Sequence, residues 1–205
     1  IMSSDWSSDV CSSDLEEGRR ETWEETVNRD FQALRKKVIQ HFDTKVPHHS
    51  AIESDKKDIL FQLEDAHEAI LEQGVMPSMR GFMIAGKALE EHEAGIYNCA
   101  YAECKDLEFF STLTYELMLG IGFGCSVERR CVQQLPQLPQ SLQQDSTPYV
   151  IDDSKEGWKN SIYHLMNQTH HHGLMPTFDY SLIRPEGTPL KTMGGRASGP
   201  DPLRR

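Results

Sequence analysis

Positive charge is in short supply. Lys and Arg number 21 against 32 Asp and Glu, for a formal net charge of −11 over 205 residues. A chain of that balance has no surplus of cations to neutralise a phosphate backbone, which argues against a general nucleic-acid binder. A nucleotide pocket needs only a few donors and stays open. Long apolar runs are also missing: none reaches the 18 or so residues of a membrane span. No cationic start followed by an apolar stretch marks secretion, so a reducing cytoplasm is the expected compartment. The tight C-x2-C spacing that grips a tetrahedral ion is absent too. Cysteines stand at 11, 99, 104, 125 and 131, an odd and irregular set. A small zinc-stabilised scaffold is thereby the weakest of three readings, and a cysteine that matters is chemical rather than a staple. No internal repeat follows the first fifteen residues.

Those fifteen residues stand apart. Ile1 to Leu15 reads IMSSDWSSDVCSSDL, with Ser-Ser-Asp three times. Such a stretch buries too little to offset its ordering entropy. It resembles a translated sequencing-adapter read-through, and residues 1–15 are set aside as an artefactual disordered leader. Cys11 then carries no function.

The length suits one or two domains. Residues 16–94 read as a helical region. Trp23, Val27, Phe31, Leu34 and Val38 are spaced 4, 4, 3 and 4, which predicts an amphipathic helix ending before Pro47. Ser54 is the expected cap of a second helix, with Ile59, Leu60, Leu63, Ile70 and Leu71 on its buried side and Gly74 and Pro77 as its stop. Residues 95–205 have a mixed texture. Ile96 to Ala102 is strand-like, with Tyr97, Cys99 and Tyr101 on one face and Asn98 on the other. A helix is expected over about 107–119, with Phe110, Leu113 and Leu117 on one side and Gly120 as its end. Residues 120–127 turn into a strand. The Gln- and Pro-rich stretch 133–148 reads as a loop. Asp153 or Ser154 caps the next helix, with Trp158, Ile162, Leu165 and Met166 as its apolar positions and Gly173 as its end. From Phe178 a strand leads into an extended loop, and Ser198 or Asp201 is the expected cap of a final helix.

Several constellations invite chemistry. Gly120-x-Gly122-x-Gly124 follows a helix rather than a strand, so close packing or turn geometry suits it better than dinucleotide binding. Glu64-x-x-His67 has di-iron spacing but stands alone, which favours a solvated helix face. His170 to His172 are consecutive and diverge on a helix. The glycines, Arg196 and Ser198 within 194–199 are of the type that offers N–H groups and charge to a phosphate. Cys99 taken alone reads as a packed thiol.

Taken together, Arg20-Glu-Thr-Trp-Glu-Glu-Thr-Val27, Met76-Pro-Ser-Met-Arg80, Ala85-Gly-Lys-Ala-Leu89, Tyr97-Asn-Cys-Ala-Tyr101 and Leu117-Met-Leu-Gly-Ile-Gly-Phe-Gly124 come in a telling order. Ser126-Val-Glu128, Leu135-Pro136, Asp153-Ser-Lys-Glu-Gly-Trp158, Ile183-Arg-Pro-Glu-Gly187 and Gly194-Gly-Arg-Ala-Ser-Gly-Pro200 complete it. From about residue 17 onward the chain resembles the N-terminal part of adenosylcobalamin-dependent (class II) ribonucleoside-triphosphate reductases of the monomeric type. The resemblance implies an α/β fold: a helical N-terminal region followed by the first part of a ten-stranded α/β barrel. It implies thiyl-radical reduction of a ribonucleoside triphosphate, with Cys99 as one of two reducing cysteines. It places Ser78, Arg80 and Asn98 at the substrate, and Arg184, Gly194, Gly195 and Ser198 at a deoxynucleoside-triphosphate effector. It further implies thioredoxin or a similar dithiol as reductant, and neither a nucleic-acid nor a membrane partner. The thiyl-radical cysteine, the partner of Cys99 and the cobalamin-binding region are expected beyond residue 205. The 205-residue chain by itself is therefore expected to be inactive, and the full-length protein a monomer. The alternative reading is a non-catalytic nucleotide-binding or helical interaction module.

Overall fold

In the computed structural model, residues 21–45, 50–190 and 195–205 are described. The expected leader and Gly194 lie outside these residues. The described residues form two compact units, one running to Ile96 and the other holding Tyr97–Leu190 and Gly195–Arg205.

The first unit is helical, and its opening is set by a reciprocal pair. Glu25 N donates to Thr22 Oγ1 at 3.2 Å while Thr22 N donates to Glu25 Oε2 at 2.8 Å. This capping box satisfies two amide donors that a helix start would otherwise leave orphaned. Helix α1 (Trp23–Lys45) then runs to just before Pro47, where its stripe predicts an end. Val27 is fully buried against Ile70 and Phe82, with Trp23, Phe31 and Leu71 around them. Burial of such a side chain contributes about 1.5–3 kcal/mol. Trp23 Nε1 also donates to Leu71 O at 3.2 Å, tying the indole to a helix C-terminus.

Helix α2 (Ser50–Leu71) begins earlier than its sequence suggests. Ser54 lies inside it and is not its cap, and Ile59 faces solvent. Its inner side holds the half-buried Leu60, Leu63 and His67, whose ring donates to or accepts from Asn28 Oδ1 at 2.8 Å and meets Phe31 edge to face. The chain leaves α2 through Gln73, which takes the left-handed conformation (φ 61°) expected of Gly74. Helix α3 (Met79–Ile84), helix α4 (Lys87–Glu91) and a 3-10 turn (Glu93–Ile96) complete this unit around Ala33, Ile84, Ala88 and Leu89.

The second unit mixes helix and strand. Strand β1 (Cys99–Glu103) begins at Cys99, so Tyr97 lies before it rather than on its face. Helix α5 (Glu108–Met118) follows, and Gly120 (φ 78°) ends it. Strand β2 (Gly122–Ser126) returns parallel to β1, pairing Cys99 with Gly122 and Tyr101 with Gly124. A parallel pair needs a crossover, and α5 supplies it. Phe109 is buried and meets Phe123 of β2 edge to face at 6.2 Å, so α5 covers one face of the pair. Of the residues expected on its apolar side, Leu117 is exposed. A short helix α6 (Arg129–Val132) buries Cys131.

A second strand–helix–strand arrangement follows within the same unit. Strand β3 (Gln143–Val150) pairs parallel with β4 (Leu174–Asp179) across α7 (Lys155–Asn167). The end of the Gln- and Pro-rich stretch, residues 143–148, is therefore strand, while 133–142 is irregular as its composition predicts. Pro148 sits where the register shifts after Gln144, a place where a missing N–H is tolerated. Ser154, not Asp153, caps α7: its Oγ accepts from Gly157 N at 2.9 Å. Gly173 (φ 65°) ends the π-helical turn Gln168–His172 that follows. The most buried positions of α7 are the small Gly157 and Ser161, not Trp158 or Ile162. Helix α7 packs against α5, and Gly157 lies close on the backbone of Asp152. Helix α8 (Asp201–Arg204) has Pro200 at its cap position, where Ser198 or Asp201 was expected. No described helix is long and apolar enough to cross a membrane.

Candidate functional site

Cys99 lies at the first position of β1 as a free, exposed thiol. Strand alternation puts Tyr101 on its face and Ala100 on the other, toward α5. Gly122 and Gly124 stand opposite Cys99 and Tyr101 and add no side chain to that face. A Cβ at Gly122 would sit 3.8 Å from Cys99 Sγ, and one at Gly124 would sit 3.7 Å from the Tyr101 ring. The glycine-rich stretch thus makes a turn at Gly120 and an open strand at Gly122 and Gly124, in keeping with turn geometry rather than a dinucleotide loop. Gly122 N donates to Asn98 O at 2.9 Å, so the residue before the thiol is held by the facing strand. Asn98 itself is exposed.

The other cysteines of this unit differ. Cys104 and Cys131 are buried and Cys125 is exposed. Burial, with Cys125, Asp106 and Cys131 nearby, pushes the Cys104 thiol above its ordinary value. Such a thiol is inert rather than nucleophilic.

Ser78 is the N-cap of α3, its Oγ accepting from Arg80 N at 3.3 Å. Arg80 Nε donates to Gly95 O at 2.8 Å, which fixes the guanidinium within the first unit. The C-terminus of α3 is held by Arg29, whose guanidinium donates to Ala85 O at 2.6 Å and Phe82 O at 3.0 Å and pairs with Glu21 at 2.9 Å.

Arg184 is half-buried. Its Nε donates to Asp153 Oδ2 at 2.6 Å and its Nη2 to Asp153 O at 3.3 Å, at the entry to α7. The loop beyond it folds back on itself. Gly187 N donates to Ala197 O at 2.9 Å, Ala197 N to Thr188 O at 2.8 Å, and Leu190 N to Gly195 O at 3.0 Å. Gly195 (φ 79°) has open space around it, and Ser198 is exposed. Gly199 (φ 69°) is tighter, since a Cβ there would meet Glu186 N at 3.0 Å.

Three residues escape a sequence reading. Asp153 reads as a cap, and only the fold gives it to Arg184. Tyr115 sits on α5 with no motif around it, yet its hydroxyl bonds Glu156 of α7 at 3.2 Å. Asp30 is buried on α1 with Oδ1 unpartnered, and burial raises its carboxyl above the ordinary value against the opposing charge of Arg29. A carboxylate three positions after Val27, on an apolar stripe, is the signal that marks it.

These features define an α/β protein with two parallel strand pairs, each joined through a helix, and an accessible thiol at the head of one strand. Comparison with known proteins gives that class a name. The chain is 30% identical over 194 residues to the adenosylcobalamin-dependent ribonucleoside-triphosphate reductase of Euglena gracilis, covering 91% of this chain and 26% of that protein. It is 28% identical to a probable reductase of the same name from Dictyostelium discoideum, over 92% of this chain and 27% of the relative. It is 24% identical to the Lactobacillus leichmannii enzyme, over 92% and 32%. The chain is homologous to adenosylcobalamin-dependent ribonucleoside-triphosphate reductases. It spans about a quarter to a third of the length of the curated relatives it matches. Neither a family model nor a solved structure matches it.

Among the described residues no three His, Cys, Asp or Glu gather to hold a metal. His67 and His170 bond Asn28 and Pro136 O, and His164 stacks on Tyr149. No step through adenosylcobalamin is assigned to the described residues.

Proposed function

We propose that this chain is the N-terminal part of an adenosylcobalamin-dependent ribonucleoside-triphosphate reductase, and that Cys99 is one of the two thiols that reduce the ribose. The observation that carries the reading is the placement of Cys99: a free thiol at the head of a parallel strand, on a face that Gly122 and Gly124 keep open. The chemistry suits that placement. Two thiols give two electrons and two protons to the 2′ position, the hydroxyl leaves as water, and the sulfurs close as a disulfide. The donor must therefore reach substrate, then a second sulfur at disulfide distance, and then an external dithiol such as thioredoxin.

Two successive strand–helix–strand units with parallel pairing support the start of a ten-stranded α/β barrel. A helical region over 16–94 before a barrel segment over 95–205 fits that reading. Ser78 and Arg80 would serve substrate phosphate through a hydroxyl and a guanidinium, with Asn98 beside the ribose. Arg184, Gly194, Gly195 and Ser198 would form the effector region, Arg184 meeting phosphate and the glycines giving the loop its freedom. A cytoplasmic monomer is the expected setting. The test is Cys99→Ser in the full-length polypeptide, assayed with ribonucleoside triphosphate, adenosylcobalamin and a dithiol. Multiple-turnover formation of deoxynucleotide should fall to background. Undiminished turnover would overturn the assignment.

A further inference from the structure

Cys99 shares its side of the sheet with two other residues. Side chains two apart along a strand point to one face about 6.6 Å from each other, so Tyr101 and Glu103 follow the thiol in a row. Across the pair, Gly122 faces Cys99, Gly124 faces Tyr101 and Ser126 faces Glu103. The two glycines leave the first two places bare. At the third, Ser126 is buried, and Glu103 pairs with Lys105 at 3.7 Å and Arg130 at 3.9 Å. The open floor is therefore two residues long: a thiol, then an aromatic ring, closed by a charged cluster.

The ring is presented to whatever enters. Tyr101 is 65% exposed. A Cβ at Gly124 would lie 3.7 Å from its Cδ2, so the ring lies along the floor beside the facing strand. A larger residue than glycine at 124 would compete for that place. A ribonucleoside has the same order of parts as this row. Its 2′ carbon, which the reading of Cys99 brings to the sulfur, is bonded to C1′, and C1′ carries the base. A sugar held at Cys99 with its base directed along the strand sets that base one step on, over Tyr101. Every base has a π-face, and an aromatic side chain stacks on any of them.

We propose that Tyr101 is the stacking platform for the base of the ribonucleoside triphosphate, one step along β1 from the thiol that meets its sugar. The inference rests on the role given above for Cys99. Tyr101 is a binding residue: it gives the reaction neither proton nor electron. A stacked base is held alike before and during reduction of the sugar, so the contact acts on KM far more than on kcat. A purine offers two fused rings to the platform and a pyrimidine one, so purine nucleotides depend on it more.

The experiment uses the full-length polypeptide with adenosylcobalamin, a dithiol and the four ribonucleoside triphosphates as substrates. Tyr101→Leu removes the π-face and should raise KM about fivefold or more for the purine substrates, the low end of base–aromatic stacking. The rise should be smaller for the pyrimidine substrates, and kcat should change far less than KM. Tyr101→Phe and Tyr101→Trp restore an aromatic face and should rescue KM. The added indole of Tyr101→Trp should also lose fluorescence when a ribonucleoside triphosphate binds. A merely structural role would lower kcat and treat the four substrates alike, and that result overturns the platform. Unchanged KM in Tyr101→Leu, with Cys99→Ser inactive, overturns the platform alone and gives the ring to another part of the polypeptide that covers this face. Undiminished turnover in Cys99→Ser overturns the thiol reading and the platform together. If Tyr101→Leu does not fold, Tyr101→Trp decides, and undiminished fluorescence at saturating triphosphate overturns the proposal.

Discussion

Gly122 stands directly across the parallel β1–β2 pair from Cys99, and a methyl group at that glycine would lie 3.8 Å from the thiol sulfur. The distance is ordinary van der Waals contact, so the fold tolerates the addition while access to the sulfur narrows. Gly122→Ala should therefore leave the melting temperature unchanged or slightly raised, since glycine inside a strand costs about 0.5–1 kcal/mol relative to alanine. Alkylation of Cys99 should slow severalfold while that of Cys125 stays the same. Equal rates at Cys99 in both chains would show that the face is wider than the register suggests.

Gly157 obeys the opposite rule. Alanine normally stabilises a helix by about 1 kcal/mol relative to glycine. Here its Cβ would sit 2.4 Å from Asp152 O and 2.8 Å from Asp152 Cβ. Gly157→Ala should destabilise by about 1–3 kcal/mol, the usual cost of overpacking. Urea unfolding checks both the sign and the size.

The Arg184–Asp153 pair separates stability from binding. Each side chain is about a third exposed, at 37% and 31%. Screened pairs of that kind contribute at most about 1 kcal/mol. Arg184→Ala should cost little in urea unfolding. If Arg184 takes effector phosphate, the same change should weaken deoxynucleoside-triphosphate binding about tenfold or more, the scale of a lost charged hydrogen bond. Calorimetry beside the unfolding curve tells the two effects apart.

Asp30 sets a pH dependence. Burial raises its carboxyl above the ordinary value, with Arg29 opposing. The folded state then binds a proton that the unfolded chain has already released, so stability falls as pH climbs from the ordinary carboxylate value through the raised one. The loss is complete above that window. Asp30→Asn should abolish this part of the slope and raise the melting temperature at pH 7 relative to the unsubstituted chain. Parallel melts from pH 4 to pH 8 test it, and identical slopes in the two chains would rule it out.

Local signals placed much of this architecture. The Trp23–Val38 spacing, the left-handed glycines at 120 and 173, and the strand-like run at Cys99 are each written within a few residues of where they act. Side-chain periodicity and backbone freedom are local properties, so the chain declares them without its neighbours. The role proposed for Cys99 rests on the order of motifs along the chain, because one thiol between Asn and Ala carries no chemistry of its own.

Other features were settled by distant partners. Residues 143–150 are strand because β4, about thirty residues on, supplies the hydrogen bonds that a Gln- and Pro-rich segment cannot announce. Ser154 caps α7, and Asp153 beside it pairs with Arg184 from thirty-one residues away. Gly157 is buried because the backbone of Asp152 lies close against it, which no period of apolar residues reveals. Local preference tells a backbone what it is free to do, and only packing against the rest of the chain decides which freedom is used.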